Sequence, residues 1–170
     1  MEIKLIASLA AYEKAQDRLN EIYQTAFQLD WTLDNRFKKA LAQNLQPRIY
    51  VATKSQGIVG LLYVTDYDPT GWWGAQVYPL LAPTFQGIPV EINELAVGPA
   101  FQKLGIATAL MTQLIQTEKT DFILSTRTFH NEPVKYFYEK LGFKKILAEL
   151  PFPPHDEAYD VYYRKQSLSF

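Results

Sequence analysis

The residues best suited to chemistry lie between Glu91 and Thr108. Within that stretch, Gln102-Lys103-Leu104-Gly105-Ile106-Ala107 follows an apolar strand and opens an amphipathic helix. Gly105 and Ala107 keep bulky side chains out of the turn, so several backbone N–H groups can converge on one concavity with the positive end of the helix dipole behind them. A diphosphate suits such a cradle. Taken alone, Q-x-x-G-x-A also fits ordinary turn chemistry. Glu91 and Glu94, on the strand just before the turn, are carboxylates able to take a proton from a nucleophile. Strict alternation sends the two to opposite faces, and the competing reading makes one or both solvated strand carboxylates. His130 and His155 are the only histidines and have no acids at ligand spacing, so no metal site is expected.

Local patterns define the elements that position these residues. Ile106, Ala107, Leu110, Met111, Leu114 and Ile115 recur at three- and four-residue spacing and predict a helix with one buried face and Thr108, Thr112, Gln113 and Gln116 outward. A short β-prone run, Phe122 to Thr126, leads to a second helix near Asn131-Glu132-Pro133, with Val134, Phe137, Tyr138 and Leu141 as its inward stripe and Gly142 as its stop. Upstream, Glu2 to Leu9 reads as a strand, Tyr12 to Phe27 as a helix, and Thr32 to Leu45 as another helix capped by Thr32 and closed by Pro47. Arg48 to Lys54 and Ile58 to Tyr67 read as a hairpin around Ser55-Gln56-Gly57. Asp66 to Pro89, with four prolines, is expected to be a long irregular connection with at most a short strand. Phe143 to Leu150 and Tyr159 to Lys165 are the last two strands, joined by the proline-rich Pro151 to Pro154 segment. The predicted order βααβββαβαββ suits an α/β fold, a mixed twisted sheet with helices on both faces.

L-A-V-x-P-x-x-Q-x-x-G-I-A from Leu95, followed by N-x-x-V-x-x-x-Y-x-K-x-G-F from Asn131, resembles the GCN5-related N-acetyltransferase (GNAT) family, over about residues 90 to 146. The resemblance implies an acetyl-coenzyme A-dependent N-acetyltransferase. In it, Leu95, Ala96 and Val97 would offer strand backbone to the pantetheine arm, and Gln102, Lys103, Leu104, Gly105, Ile106, Ala107 and Thr108 would hold the pyrophosphate. It further implies that Asn131 lies beside the pantetheine and Tyr138 beside the sulfur. Ala107 departs from the commoner glycine and Val134 from the commoner alanine; neither adds charge or a large side chain. Acyl transfer to an amine needs a neutral nucleophile, an oxyanion stabiliser and a proton for the leaving thiolate. A phenol such as Tyr138 can supply the proton, although a buried aromatic on a helix stripe is also an ordinary core residue. Glu94 is the favoured base for its closeness to the thioester end, with Glu91 in reserve, and backbone N–H groups near Leu95 to Val97 would meet the oxyanion.

Trp72, Trp73, Phe85, Phe152 and Asp156 are expected to shape an acceptor site, since aromatic faces and a carboxylate suit a cationic amine; Trp72 and Trp73 would equally serve to cover a sheet edge. With 170 residues, the chain fits a single acyl-CoA N-acyltransferase-like domain over 1–170. Cysteine is absent, which excludes disulfides, thiolate metal sites and a cysteine nucleophile. A net charge of −1 with mixed signs gives no basic block for nucleic acid. Met1 to Ile6 is too short and charged for a secretory signal, and no apolar run approaches a membrane span, so a cytoplasmic protein without a membrane partner is expected. The acceptor, a small-molecule or peptide amine, is not specified by the sequence, and dimerisation through a sheet edge is open to the chain. Two alternatives to the transferase are a non-catalytic acyl-CoA-binding regulatory module and a nucleotide-binding α/β protein of another class; the latter lacks G-x-x-x-x-G-K-[ST] and a complete G-x-G-x-x-G.

Overall fold

The structure is a computed structural model describing residues 1–166. Its first half runs β1 (Glu2–Ile6), α1 (Leu9–Phe27), α2 (Asp34–Ala42), β2 (Arg48–Lys54), β3 (Gly57–Asp66) and α3 (Trp72–Leu81). Its second half runs β4 (Val90–Val97), α4 (Ile106–Thr117), β5 (Phe122–Arg127), α5 (Glu132–Lys140), β6 (Lys144–Pro151) and β7 (Ala158–Arg164). The seven strands form a mixed sheet in the order β1-β2-β3-β4-β5-β7-β6. Contacts divide the chain into two compact units, Met1–Asp68 with Ile92–Lys119, and Pro69–Glu91 with Thr120–Phe170.

In the first unit, β1, β2 and β3 pair antiparallel. Ser8 starts α1 by accepting a hydrogen bond from the Ala11 N–H at 3.1 Å. Thr32 was expected to cap α2; the cap position falls to Leu33 instead, and the Thr32 hydroxyl meets the Asp34 N–H at 3.4 Å. The Tyr12 hydroxyl and Asn20 amide of α1 both bind the Asp34 carboxylate, which ties the two helices together. Tyr12, Leu19, Ile22 and Tyr23 of α1 join Phe37, Ile49, Val51, Leu61, Tyr63 and Ala96 in one buried core. On β3, Gly60 faces the other way. A Cβ there would lie 3.0 Å from Ile106 Cγ2 and 3.4 Å from the Ala96 carbonyl oxygen, so its missing side chain lets α4 approach β3 closely.

The second unit centres on β5 and β7, antiparallel from Phe122↔Arg164 to Arg127↔Tyr159, with β6 antiparallel on β7. Strand β4 enters it in parallel with β5 through Val90↔Phe122 and Glu91↔Ile123. The sequence reading missed α3: Asp66–Pro89 holds a ten-residue helix and a 3₁₀ turn, Ala82–Thr84, in place of an irregular connection. The observed order is therefore βααββαβαβαββ. The Trp73 indole donates to the Ser125 hydroxyl at 2.7 Å and Phe85 stacks on Tyr163, which seats α3 and its following turn on one face of β5 and β7. On α5, Tyr138 is buried, but Val134, expected inward, is 41% exposed. The helix has only nine residues, and its first turn does not reach the packed face.

Candidate active site

In the first unit, the end of β4 and the start of α4 build an open turn. The Gly98 N–H closes on the Val59 carbonyl at 2.9 Å, and Pro99–Phe101 makes a single 3₁₀ turn. The Gln102 side-chain amide then bonds back to the Val97 carbonyl at 3.0 Å, anchoring the loop. Lys103 (φ 62°) and Gly105 (φ 82°) are both left-handed, a conformation that aims successive N–H groups toward one side. A Cβ on Gly105 would meet nothing within 4 Å, so the dihedral and not crowding calls for glycine.

Gly105 is also the N-cap of α4, with no capping side chain and no acidic residue in the first turn. The first helical bond runs from the Ala109 N–H to the Gly105 carbonyl. Among the described residues, the N–H groups of Ile106, Ala107 and Thr108 have no partner. Lys103, Leu104, Gly105 and Thr108 are exposed beside them. Uncapped donors, a helix dipole and no competing carboxylate fit a phosphate-bearing ligand. Leu95 and Val97 are half-buried and Ala96 buried on the strand leading into the turn.

Glu94 lies in the same unit. Its Oε1 accepts from Arg36 Nη1 at 2.7 Å and from the Tyr23 hydroxyl at 3.2 Å. Burial, then the neighbouring Glu94 carboxylate, raises the Tyr23 phenol above its ordinary value. Arg36 is further held 5.5 Å above the Tyr63 ring. Neither Arg36 nor Tyr23 stood out in the sequence, where 58 residues separate Arg36 from Glu94 and 71 separate Tyr23 from it.

The second unit carries Glu91, half-buried on β4 opposite Ile123, together with Asn131 and Tyr138. Asn131 is buried, and its amide nitrogen donates to Thr126 Oγ1 at 2.7 Å and the Arg127 carbonyl at 2.9 Å, fastening the start of α5 to the end of β5. Tyr138 packs edge-on against Phe137 and Phe143. Of the predicted acceptor residues, Trp72, Trp73 and Phe152 come together, joined by Tyr159 and by His155, which stacks on Phe152. Tyr159 was absent from the predicted set. These rings touch one another, with centroids 4.8 to 6.2 Å apart, so they present an outer surface, chiefly the 54% exposed Trp72. Phe85 stacks on Tyr163 and Asp156 is exposed. Among the described residues, no group of three or more His, Asp or Glu could hold a metal ion, and no helix is long and apolar enough to cross a membrane.

A turn of this construction suits a phosphate-bearing ligand, and comparison with known proteins identifies the family. The acetyltransferase (GNAT) domain model matches residues 46–145, more than half of the chain. The chain therefore belongs to the GNAT acetyltransferases, a family of acetyl-CoA-dependent N-acetyltransferases. No curated protein matches its sequence. Among solved structures, a GNAT-family protein from Desulfovibrio desulfuricans shares the fold with TM-score 0.70 at 14% identity, covering 96% of this chain and 98% of that one. Naa20 from Chaetomium thermophilum, solved with a bisubstrate analogue, gives 0.69 at 16% identity over 98% and 87%. The ribosomal-protein-S18-alanine N-acetyltransferase of Escherichia coli gives 0.65 at 16% identity over 99% and 97%.

Proposed function

We propose that the chain, acting as one domain in the cytoplasm, transfers an acetyl group from acetyl-CoA directly to the amine of a small molecule or peptide. The observation that carries this reading is the uncapped, acid-free N-terminus of α4 behind left-handed Gly105, in a chain of this family. Ile106, Ala107 and Thr108 would donate their N–H groups to the diphosphate, and the backbone of Leu95 to Val97 would run beside the pantetheine arm and meet the carbonyl oxygen as charge develops.

Glu94 takes a proton from the acceptor ammonium, directly or through water, with Glu91 as the reserve base. The amine nitrogen then bonds to the acetyl carbon, its second proton passes to water, and the carbon–sulfur bond breaks. Tyr138 gives its hydroxyl proton to the departing thiolate and recovers one from solvent. The chain has no cysteine to carry a thioester intermediate, which favours direct transfer. Trp72 and Phe152, with Trp73, Phe85 and Asp156, would receive the acceptor. The structural neighbours include the ribosomal-protein-S18-alanine N-acetyltransferase of Escherichia coli, which keeps peptide amines among the acceptors to screen.

Isothermal titration with acetyl-CoA, free CoA and ATP tests the cradle. Saturable binding of both CoA ligands in preference to ATP is expected, followed by thiol release when amines are screened. No binding by folded protein at millimolar ligand would remove the transferase reading, and binding with no turnover on any amine would favour the non-catalytic regulatory module.

A further inference from the structure

Both hydrogen-bond donors that reach Glu94 converge on the same oxygen. Arg36 Nη1 lies 2.7 Å and the Tyr23 hydroxyl 3.2 Å from Oε1, whereas Oε2 has no hydrogen-bond partner among the described residues. The Glu94 side chain is 21% exposed, so it is open to a ligand. We propose that Arg36 and Tyr23 are positioning residues that fix the Glu94 carboxylate so that Oε2 is the oxygen offered to the acceptor amine.

A free glutamate rotates about its terminal torsion and offers either oxygen in many directions. Two donors from two different helices, α1 for Tyr23 and α2 for Arg36, pin one oxygen and thereby orient the other. The donors are themselves constrained. Arg36 lies over the Tyr63 ring of β3, and the Tyr63 hydroxyl donates to the Arg36 carbonyl at 3.4 Å. Tyr23 is buried and packs edge-on against Phe27. Tyr23 and Arg36 bond Glu94, and Tyr63 lies behind Arg36. The price of this arrangement is a cation beside a group meant to attract an ammonium; because Arg36 occupies only Oε1, the acceptor need not displace it.

The inference rests on Glu94 being the base, and a double-mutant cycle separates the two. The reaction is acetyl-CoA with methylamine, an acceptor consisting of little more than the reacting group, followed by thiol release; hydrolysis of acetyl-CoA is recorded in parallel. Glu94→Gln is expected to lower kcat by about a hundredfold or more, and Arg36→Met by about tenfold with KM for acetyl-CoA unchanged. Tyr23→Phe should cost a few-fold, and Arg36→Lys should recover part of the Arg36→Met loss. Adding Arg36→Met to Glu94→Gln should cost nothing more, since an oriented base that is absent cannot be misaligned. Multiplying losses in the double variant, or a kcat in Arg36→Met equal to wild type, would make the pair a structural tie and overturn the positioning role alone. Full activity of Glu94→Gln would overturn the base reading and the inference with it.

Discussion

Replacing Thr108 by glutamate should stabilise the free protein and weaken acetyl-CoA binding at the same time. Thr108 is exposed and occupies the third position of α4, whose first turn has no acidic residue and no capping side chain. A carboxylate there interacts favourably with the helix dipole by about 0.3–1 kcal/mol, which for a domain of this size is a rise in Tm of roughly 1–4 °C. For a separation on the order of 8 Å, the same carboxylate would repel a diphosphate held by the N–H groups of the first turn. Between the protein-surface and water limits of the dielectric, each charge pair at that distance costs on the order of 1 kcal/mol. Two phosphate charges then give about 2 kcal/mol, or roughly a thirtyfold loss of affinity. Isothermal titration at about 0.15 M salt measures it, and the loss should shrink toward 1 M salt, where the screening length falls from about 8 to 3 Å. Gln113→Glu is the control: it is exposed on the same helix but about 7.5 Å further along the axis, and should change affinity less than about threefold. Unchanged affinity in a stabilised Thr108→Glu variant would refute the placement of the diphosphate at this helix end.

Tyr138→Phe should keep acetyl-CoA affinity while lowering kcat, because only the hydroxyl is lost; equal loss of binding and thermal stability would make Tyr138 a packing residue. Asp160→Asn should lower Tm by roughly 6–12 °C in a thermal scan, from about 3 kcal/mol for breaking a buried ionic cluster. Asp160 is fully buried and accepts from Thr128 and the Glu149 N–H, with Lys135 and Lys145 beside it. Burial alone would raise its pKa, but these donors and cations together hold it below the ordinary aspartate value. A lowered native pKa means that its stabilisation is present above about pH 4 and is lost as pH falls through the native value, so the Asn variant should show a shallower acid limb of stability. Gly60→Ala should cost about 1–3 kcal/mol in denaturant midpoint by overpacking Ile106 at 3.0 Å; an unchanged midpoint would mean that α4 shifts freely on β3.

How much of this could be read from the chain depended on how local each cause was. The β2–β3 hairpin, the Ile106 to Thr117 stripe and Gly105 before it are written within a dozen residues, and the structure places them within a residue or two. Gly142 ends α5 with φ 91° for the same reason. Helix α3 was illegible because Pro79 lies inside it and its apolar residues surround it without a clean stripe. Its packing, with Trp73 on Ser125, comes from a strand 52 residues away. Val134 failed for the opposite reason: a correct helical period was extended one turn beyond the face that is packed.

Polar partners were the least legible feature, and they bear most on the site. Arg48 binds both oxygens of Glu118, and Tyr50 donates to the same carboxylate at 2.6 Å, across 70 and 68 residues. Nothing in local spacing marks such pairs, because a charged side chain on an exposed stretch can choose among many counter-ions until the fold fixes one. Yet Glu118 is the C-cap of α4, while at the other end Gln102 ties the turn to the Val97 carbonyl. One end of α4 is thus bonded to β2 and the turn before the other to β4. The donors of Ile106, Ala107 and Thr108 are therefore in place before any ligand arrives, and binding need not spend free energy on ordering them. Arg48→Met should then reduce acetyl-CoA affinity without touching the cradle itself, through loss of that ordering, and an affinity equal to wild type in a folded Arg48→Met protein would show that the turn needs no support from the far end of its helix.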